Sequence, residues 1–363
     1  MKPDFVNRLI AVAQRTRSSE LDLSGLDLHE LPPEVQGAGG IKTLILRKNR
    51  LRDIPPWIQQ LGSLDRLDLS DNRFETFPEA VTGLAELQEL DLTKNMIEAV
   101  PPQIAKLKHL KLLSFQLNKL RFITEEIGGL ESLSKLMLHE NNLDHVPESL
   151  GNLERLTELW LNGNRFRTLP AYLGKLRSLV LLNIQNNELS TVPAELEQLV
   201  NLHMVFLRNN RFTALPEVIG RLRGLKYLSL QNNELDQLPR HLDNQSQLTH
   251  LFLRNNRLGK IPPIVFSMTS LVNLSIESNG ISEIPREIEG MPHLEQLNLD
   301  DNQVEVVPEF LARMKNLKYL LLRNNRIREV PRALFESPFL EVLKLDNNPL
   351  ADPSDAMSAV AMV

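Results

Sequence analysis

No cysteine occurs anywhere in the 363-residue chain. That absence removes disulfide frameworks, thiolate metal sites and cysteine nucleophiles together, and it fits a reducing compartment. Aromatic residues are sparse at 5%, while leucine is conspicuous throughout. No stretch approaches the roughly eighteen uninterrupted apolar residues of a membrane span, because charged or polar side chains break every apolar cluster. The N-terminal segment MKPDFVNRLIAVAQRTR holds an apolar run only from Leu9 to Ala13, set among Asp4, Arg8, Arg15 and Arg17. It is too short and too charged for a secretory signal, so the expectation is a cytoplasmic protein. A basic field is also missing: a formal charge of −5 and a pI near 6.0 leave nothing to draw in a phosphate backbone, and no nucleic-acid partner is expected.

What is present is a repeat. One unit reads LDRLDLSDNRFETFPEAVTGLAE, Leu64 to Glu86, and its Asn72 recurs from Asn49 to Asn348 at a constant interval of 23. One interval upstream Leu26 takes the place of the asparagine, yet LDLSGLDLHELPP keeps the rest of the pattern and makes an atypical first repeat. The unit is L-x-x-L-x-L-x-x-N-x-L-x-x-L-P-x-x-I-x-x-L, and its halves have different periods. Leu67 and Leu69 alternate with Arg66, Asp68 and Ser70, which is a strand with one buried face. Phe77, Val81 and Leu84 recur at three or four residues after Pro78, which suits a short helical or 3-10 return.

Strand and return make one coil, and stacked coils make a parallel sheet with its other face open. A lone coil cannot stand. Its roughly seven buried side chains contribute about 1.5 to 3 kcal/mol each, against about 1 to 2 kcal/mol of backbone entropy per residue. The asparagine amide, with two donors and an acceptor, can satisfy backbone groups in the buried turn that ends each strand. The proline that follows, Pro55 through Pro331, fixes φ where the chain turns onto the back. Thr124 departs from that column, and a looser turn is expected there. The spacing holds without insertion, so no loop is expected to protrude and carry a separate site.

The repeated LxxLxLxxNxLxxLPxxIxxL resembles the intracellular leucine-rich repeat class found in plant Ras-group proteins, Scribble-like scaffolds and Roco GTPases. The opening SSELDLSGLDLHELPPEV is similar to the way such arrays begin in bacterial and Roco-type chains. The resemblance covers about residues 18 to 350. It implies an α/β fold: a right-handed leucine-rich repeat solenoid, or horseshoe, with a concave parallel β-sheet and short helical or 3-10 convex segments, gripping protein ligands. The Ras-like domain of Roco proteins is absent, so that activity does not carry over. The expected organisation is an N-terminal capping helix over 1–17, an array of about fifteen repeats over 18–350, and a short C-terminal cap or tail over 351–363. The cap is read from Phe5, Leu9 and Val12 on one helical face, beside Val6, Ile10 and Ala13. The apolar finish of ADPSDAMSAVAMV implies a brief helix over the last coil, a continuing chain, or self-association.

Positions facing solvent on the concave sheet are those a partner can read. The column between the second and third leucines starts acidic and turns apolar at Met137, Trp160, Phe206 and Phe252. The column before the second leucine adds Leu181, Met204 and Tyr227 to the same region. Large apolar groups thus gather where the fold does not need them. They could cover one another by cross-strand pairing, or form an interaction hot spot. The second reading is the expectation, with Arg208, Arg254, His139, Gln185 and Gln231 as a polar surround. Arg165, Glu188, Arg211, Glu234 and Arg257 alternate in sign over successive coils and are expected to form weak ion pairs along one edge.

The catalytic lookalikes are weak. GAGGIKT, Gly37 to Thr43, resembles a phosphate loop, but Ile41 separates glycine from Lys42 and the segment runs into a repeat strand. The eight histidines are scattered with no ligand spacing, so no metal is expected. The sequons at Asn244 and Asn273 would matter only in a secreted chain. The expected function is a non-catalytic scaffold or adaptor with no cofactor, capturing a protein on the concave face, in intracellular signalling by analogy with the class. Two other readings stay open: the sensor or regulatory part of a larger kinase or GTPase, and a ligase-free bacterial effector. The oligomeric state is not readable.

Overall fold

The computed structural model describes residues 3–351, so all but the first residue of the expected C-terminal cap or tail lies outside the described residues. The chain divides into two compact units, residues 1–183 and 184–363.

The first unit opens with an α-helix, Pro3–Thr16, which packs on the first coil. Val6, Ile10 and Ala13, spaced by four and three, form its buried face. Phe5 and Val12 stay exposed, so the helix uses the second of the two apolar rows seen in the sequence. Gln14 Nε2 donates to the Glu34 carbonyl at 2.7 Å and ties the helix to the first return.

Behind it the strands follow in chain order, all parallel, from Glu20–Asp22 through Thr43–Ile45 and Arg66–Asp68 to Glu158–Trp160 and Leu181–Asn183. Each register is offset by one repeat: Leu21 lies beside Leu44, and Leu44 beside Leu67. The middle leucine of each strand therefore lands on its counterpart and is shut from solvent, as at Leu44, Leu67, Leu90 and Leu113. Returns such as Pro56–Gln60 and Glu148–Asn152 are 3-10 turns entered from an extended proline. Thr124 adopts φ −68° and ψ 151°, like Pro147 at −70° and 156°. The looser turn expected there is not found; Ile127 and Leu130 are buried as in every other coil and hold the backbone without the ring. Just before Thr124, Phe122–Ile123 also pairs in parallel with Ala99–Val100, outside the main sheet.

The second unit repeats the plan, from Met204–Phe206 through Tyr227–Ser229 and His250–Phe252 to Val342–Lys344, again parallel and one repeat apart. Its returns are mostly 3-10, with short α-helices at Glu217–Arg221 and Arg332–Phe335.

The asparagine column acts as the sequence expects. Asn233 Nδ2 donates to the carbonyls of Leu207 (3.1 Å), Leu230 (3.0 Å) and Gln231 (3.3 Å), while its Oδ1 accepts the Phe212 N–H at 3.1 Å. Asn72 makes the same set with Leu46, Leu69, Ser70 and the Leu51 N–H. Each such carbonyl serves two successive amides: Leu207 also accepts from Asn210. The residue before each asparagine sits in the left-handed region, as at Asp71 (φ 53°), Gly163 (φ 65°) and Asn232 (φ 54°). Gly, Asn and Asp tolerate that conformation best, which explains their recurrence there, and Leu117 at φ 54° holds it against its side chain's preference.

Candidate protein-binding face

With every middle leucine turned inward, the alternating positions occupy the open face of the sheet in each unit. In the first unit Met137 and Trp160 are half-buried there. Leu181 is only 8% exposed, contrary to the expectation that it offers an accessible apolar group. A two-residue alternation fixes the side of the sheet but says nothing about covering by neighbours 23 residues away. The Trp160 ring lies 5.9 Å from His139, and its indole donates to Glu158 Oε2 at 3.3 Å. Burial pushes the His139 pKa below its usual value and keeps the ring neutral, while its Nδ1 has no hydrogen-bond partner.

In the second unit Met204, Phe206, Tyr227 and Phe252 are half-buried, and Arg208 and Arg254 are exposed. Tyr227 is the centre: its ring lies 4.9 Å from Phe206 and 4.9 Å from Phe252, both tilted, and 5.8 Å from His250 in a stacked arrangement. Burial among these rings raises the Tyr227 phenol pKa. The rings thus partly cover one another by cross-strand packing, and the remaining surface of each stays accessible. Beneath it the core is already complete, with Val205, Leu228 and Leu251 at 0 to 2% exposure. No packing requirement places rings on the outer side.

Beside the rings runs a groove of about 560 Å³, lined by Arg208, Gln231, Phe252, Arg254, Glu277 and Asn298 among others. Sequence reasoning named the arginines but missed Glu277 and Asn298, which are polar and gave no apolar signal. It also missed an amide rail along one side: Asn209 donates to Asn186, Asn232 to Asn209, and Asn255 to Asn232 at 3.1 Å. Asn-Asn doublets recurring at the repeat interval were the available clue. Of the expected edge pairs, Arg211–Glu188 and Arg257–Glu234 both close at 3.0 Å, whereas Arg165 donates to Asn142 Oδ1 at 3.2 Å. Being exposed, such pairs add little stability.

The phosphate-loop lookalike leads into the strand Thr43–Ile45 rather than a helix. Among the described residues no group of three or more His, Asp or Glu side chains could hold a metal ion, and no helix is long and apolar enough to cross a membrane.

Leucine-rich repeat family models match residues 66–164, 155–176, 201–258 and 246–304. A leucine-rich repeat protein of Leptospira interrogans is similar at 30% identity and a TM-score of 0.84, over 97% of this chain and 96% of that one. The Arabidopsis receptor kinase HAESA, solved with the peptide hormone IDA and the co-receptor SERK1, is 27% identical with a TM-score of 0.66, over 91% of this chain and 61% of that one. An internalin, InlF, of Listeria monocytogenes shares the fold at 19% identity and a TM-score of 0.70, covering 96% and 95%. No curated protein matches. The chain belongs to the leucine-rich repeat family and folds as a leucine-rich repeat solenoid.

Proposed function

We propose that this protein is a non-catalytic binding scaffold that captures a protein partner on the open face of its sheet, acting in the cytoplasm as an adaptor in signalling. The observation that carries this reading is the Phe206–Tyr227–Phe252 ring cluster, set on the outer side of a sheet whose core is already filled. Half-covered aromatic groups beside exposed arginines are the composition of interface hot spots. The solved receptor kinase HAESA holds a peptide hormone, so proteins of this fold can hold peptide ligands. Absence of cysteine supports a reducing location.

The test is affinity capture with the native chain and a Trp160→Ala, Phe206→Ala, Phe252→Ala variant. Each ring is half-buried, so truncation is expected to cost about 1 kcal/mol per site and to leave the circular dichroism native. At least one partner of the native chain should disappear. Retention of every partner by the triple variant would refute the assignment of binding to this face.

A further inference from the structure

Arginine occurs at one position of the open face in three coils of the second unit: Arg208, Arg254 and Arg323. Arg323 shows what this position does when an acid lies on the preceding coil. Its Nε and Nη2 donate to Asp300 Oδ2 at 2.9 and 2.7 Å, and its backbone N–H donates to Asp300 Oδ1 at 2.7 Å. Arg208 has glutamines at the same position on both sides, Gln185 and Gln231. Arg254 has Gln231 on one side and Glu277 on the other, but Glu277 is only 9% exposed and already accepts from Asn298 Nδ2 at 2.6 Å and from the Ser275 hydroxyl. Neither Arg208 nor Arg254 forms a side-chain hydrogen bond or ion pair among the described residues, and both line the groove beside the rings.

We infer that the groove takes an acidic segment of the protein partner, one carboxylate of which sits over Gln231 between Arg208 and Arg254 as Asp300 sits against Arg323. The inference rests on the face being a binding surface and specifies the chemistry of what binds. The two arginines are two strands apart, about 10 Å between backbones, so their long side chains converge on a group placed over the intervening coil. Guanidinium forks match carboxylates in a way a lysine would not. An apolar neighbour on the same segment rests against Tyr227 and Phe252. Because the whole chain carries −5 charge, an acidic partner gains nothing from the overall field, and attraction must come from this pair.

The experiment uses the full chain on an array of short peptides with every position randomised, alongside an Arg208→Gln, Arg254→Gln variant and a Phe206→Ala, Tyr227→Ala, Phe252→Ala variant. Peptides retained by the native chain are expected to be rich in Asp and Glu next to apolar residues. A retained peptide, resynthesised with amides for its acids, should lose about tenfold or more in affinity, as should the arginine variant with the original peptide. The arginine variant should melt like the native chain, since both side chains are exposed and unpaired. Retention of neutral peptides that the arginine variant binds unchanged, and only the ring variant loses, would overturn this inference and leave the face assignment standing. Failure to retain any peptide, or binding indifferent to both variants, would overturn both.

Discussion

At the scale of the residue, the asparagine column shows why one side chain recurs and no relative of it will do. The turn after each strand brings three carbonyls and one N–H of the neighbouring coil to face the same side chain. Only a planar group with two donors and an acceptor answers all of them, and Asn233 does so through four bonds. Aspartate has the shape but cannot donate, and would bury a charge. Asn233→Ala orphans the buried Phe212 N–H and removes a donor from three carbonyls, for an expected loss of about 2 to 3 kcal/mol. Urea unfolding of the variant checks this, with the exposed Gln237→Ala as a control expected within about 0.5 kcal/mol of native. Asn233→Asp should be no better than the alanine variant; near-native stability would show that the donors do not matter. This much of the fold was legible in advance, because the interval of the asparagine and its chemistry both stand in the sequence.

At the scale of the element, the strand Glu158–Trp160 links packing to pH. Trp160 covers His139, and burial lowers the pKa of that imidazole, so the folded chain prefers it neutral. The unfolded chain takes up the proton near the ordinary value of about 6.5. A histidine with a depressed folded pKa therefore leaves stability intact above that pH and erodes it as pH falls below it. The melting temperature of the native chain should drop on acidification through this range, and His139→Gln should remove part of the drop. Trp160 emission, followed in a Trp57→Phe background, should change over the same range. An unchanged pH profile in His139→Gln would mean that this ring plays no part. The sequence placed His139 at the edge of the patch, but its partnerless Nδ1 and its ring contact follow from side chains a repeat apart.

At the scale of the whole molecule, each coil is stabilised by its neighbours, and the first has a neighbour on one side only. We propose that the N-terminal helix, which packs on the first coil with Val6, Ile10 and Ala13 buried, supplies the missing surface. Ile10→Ala is expected to cost about 2 to 4 kcal/mol, and Phe5→Ala, on the exposed row, about 0.5 kcal/mol or less. Hydrogen exchange of the Glu20–Asp22 strand is the measurement, since loss of the cap should speed exchange there before distant coils respond. Equal exchange in the two variants would assign the helix no capping role.

The amino-acid sequence by itself determined the period, the inward leucines, the role of the asparagine column and the side of the sheet that stays open, because each depends on spacing along a chain that winds uniformly. It misjudged Leu181, chose both rows of the N-terminal helix where one is used, and expected a disturbance at Thr124 that buried neighbours prevent. Only the tertiary structure decided which outward side chains shelter one another, which arginines are held by Asp300 and which are left unpaired, and where a groove opens. Those outcomes depend on rotamers and contacts between residues 23 apart in sequence yet side by side in space, and a linear pattern carries no information about how such neighbours share a surface.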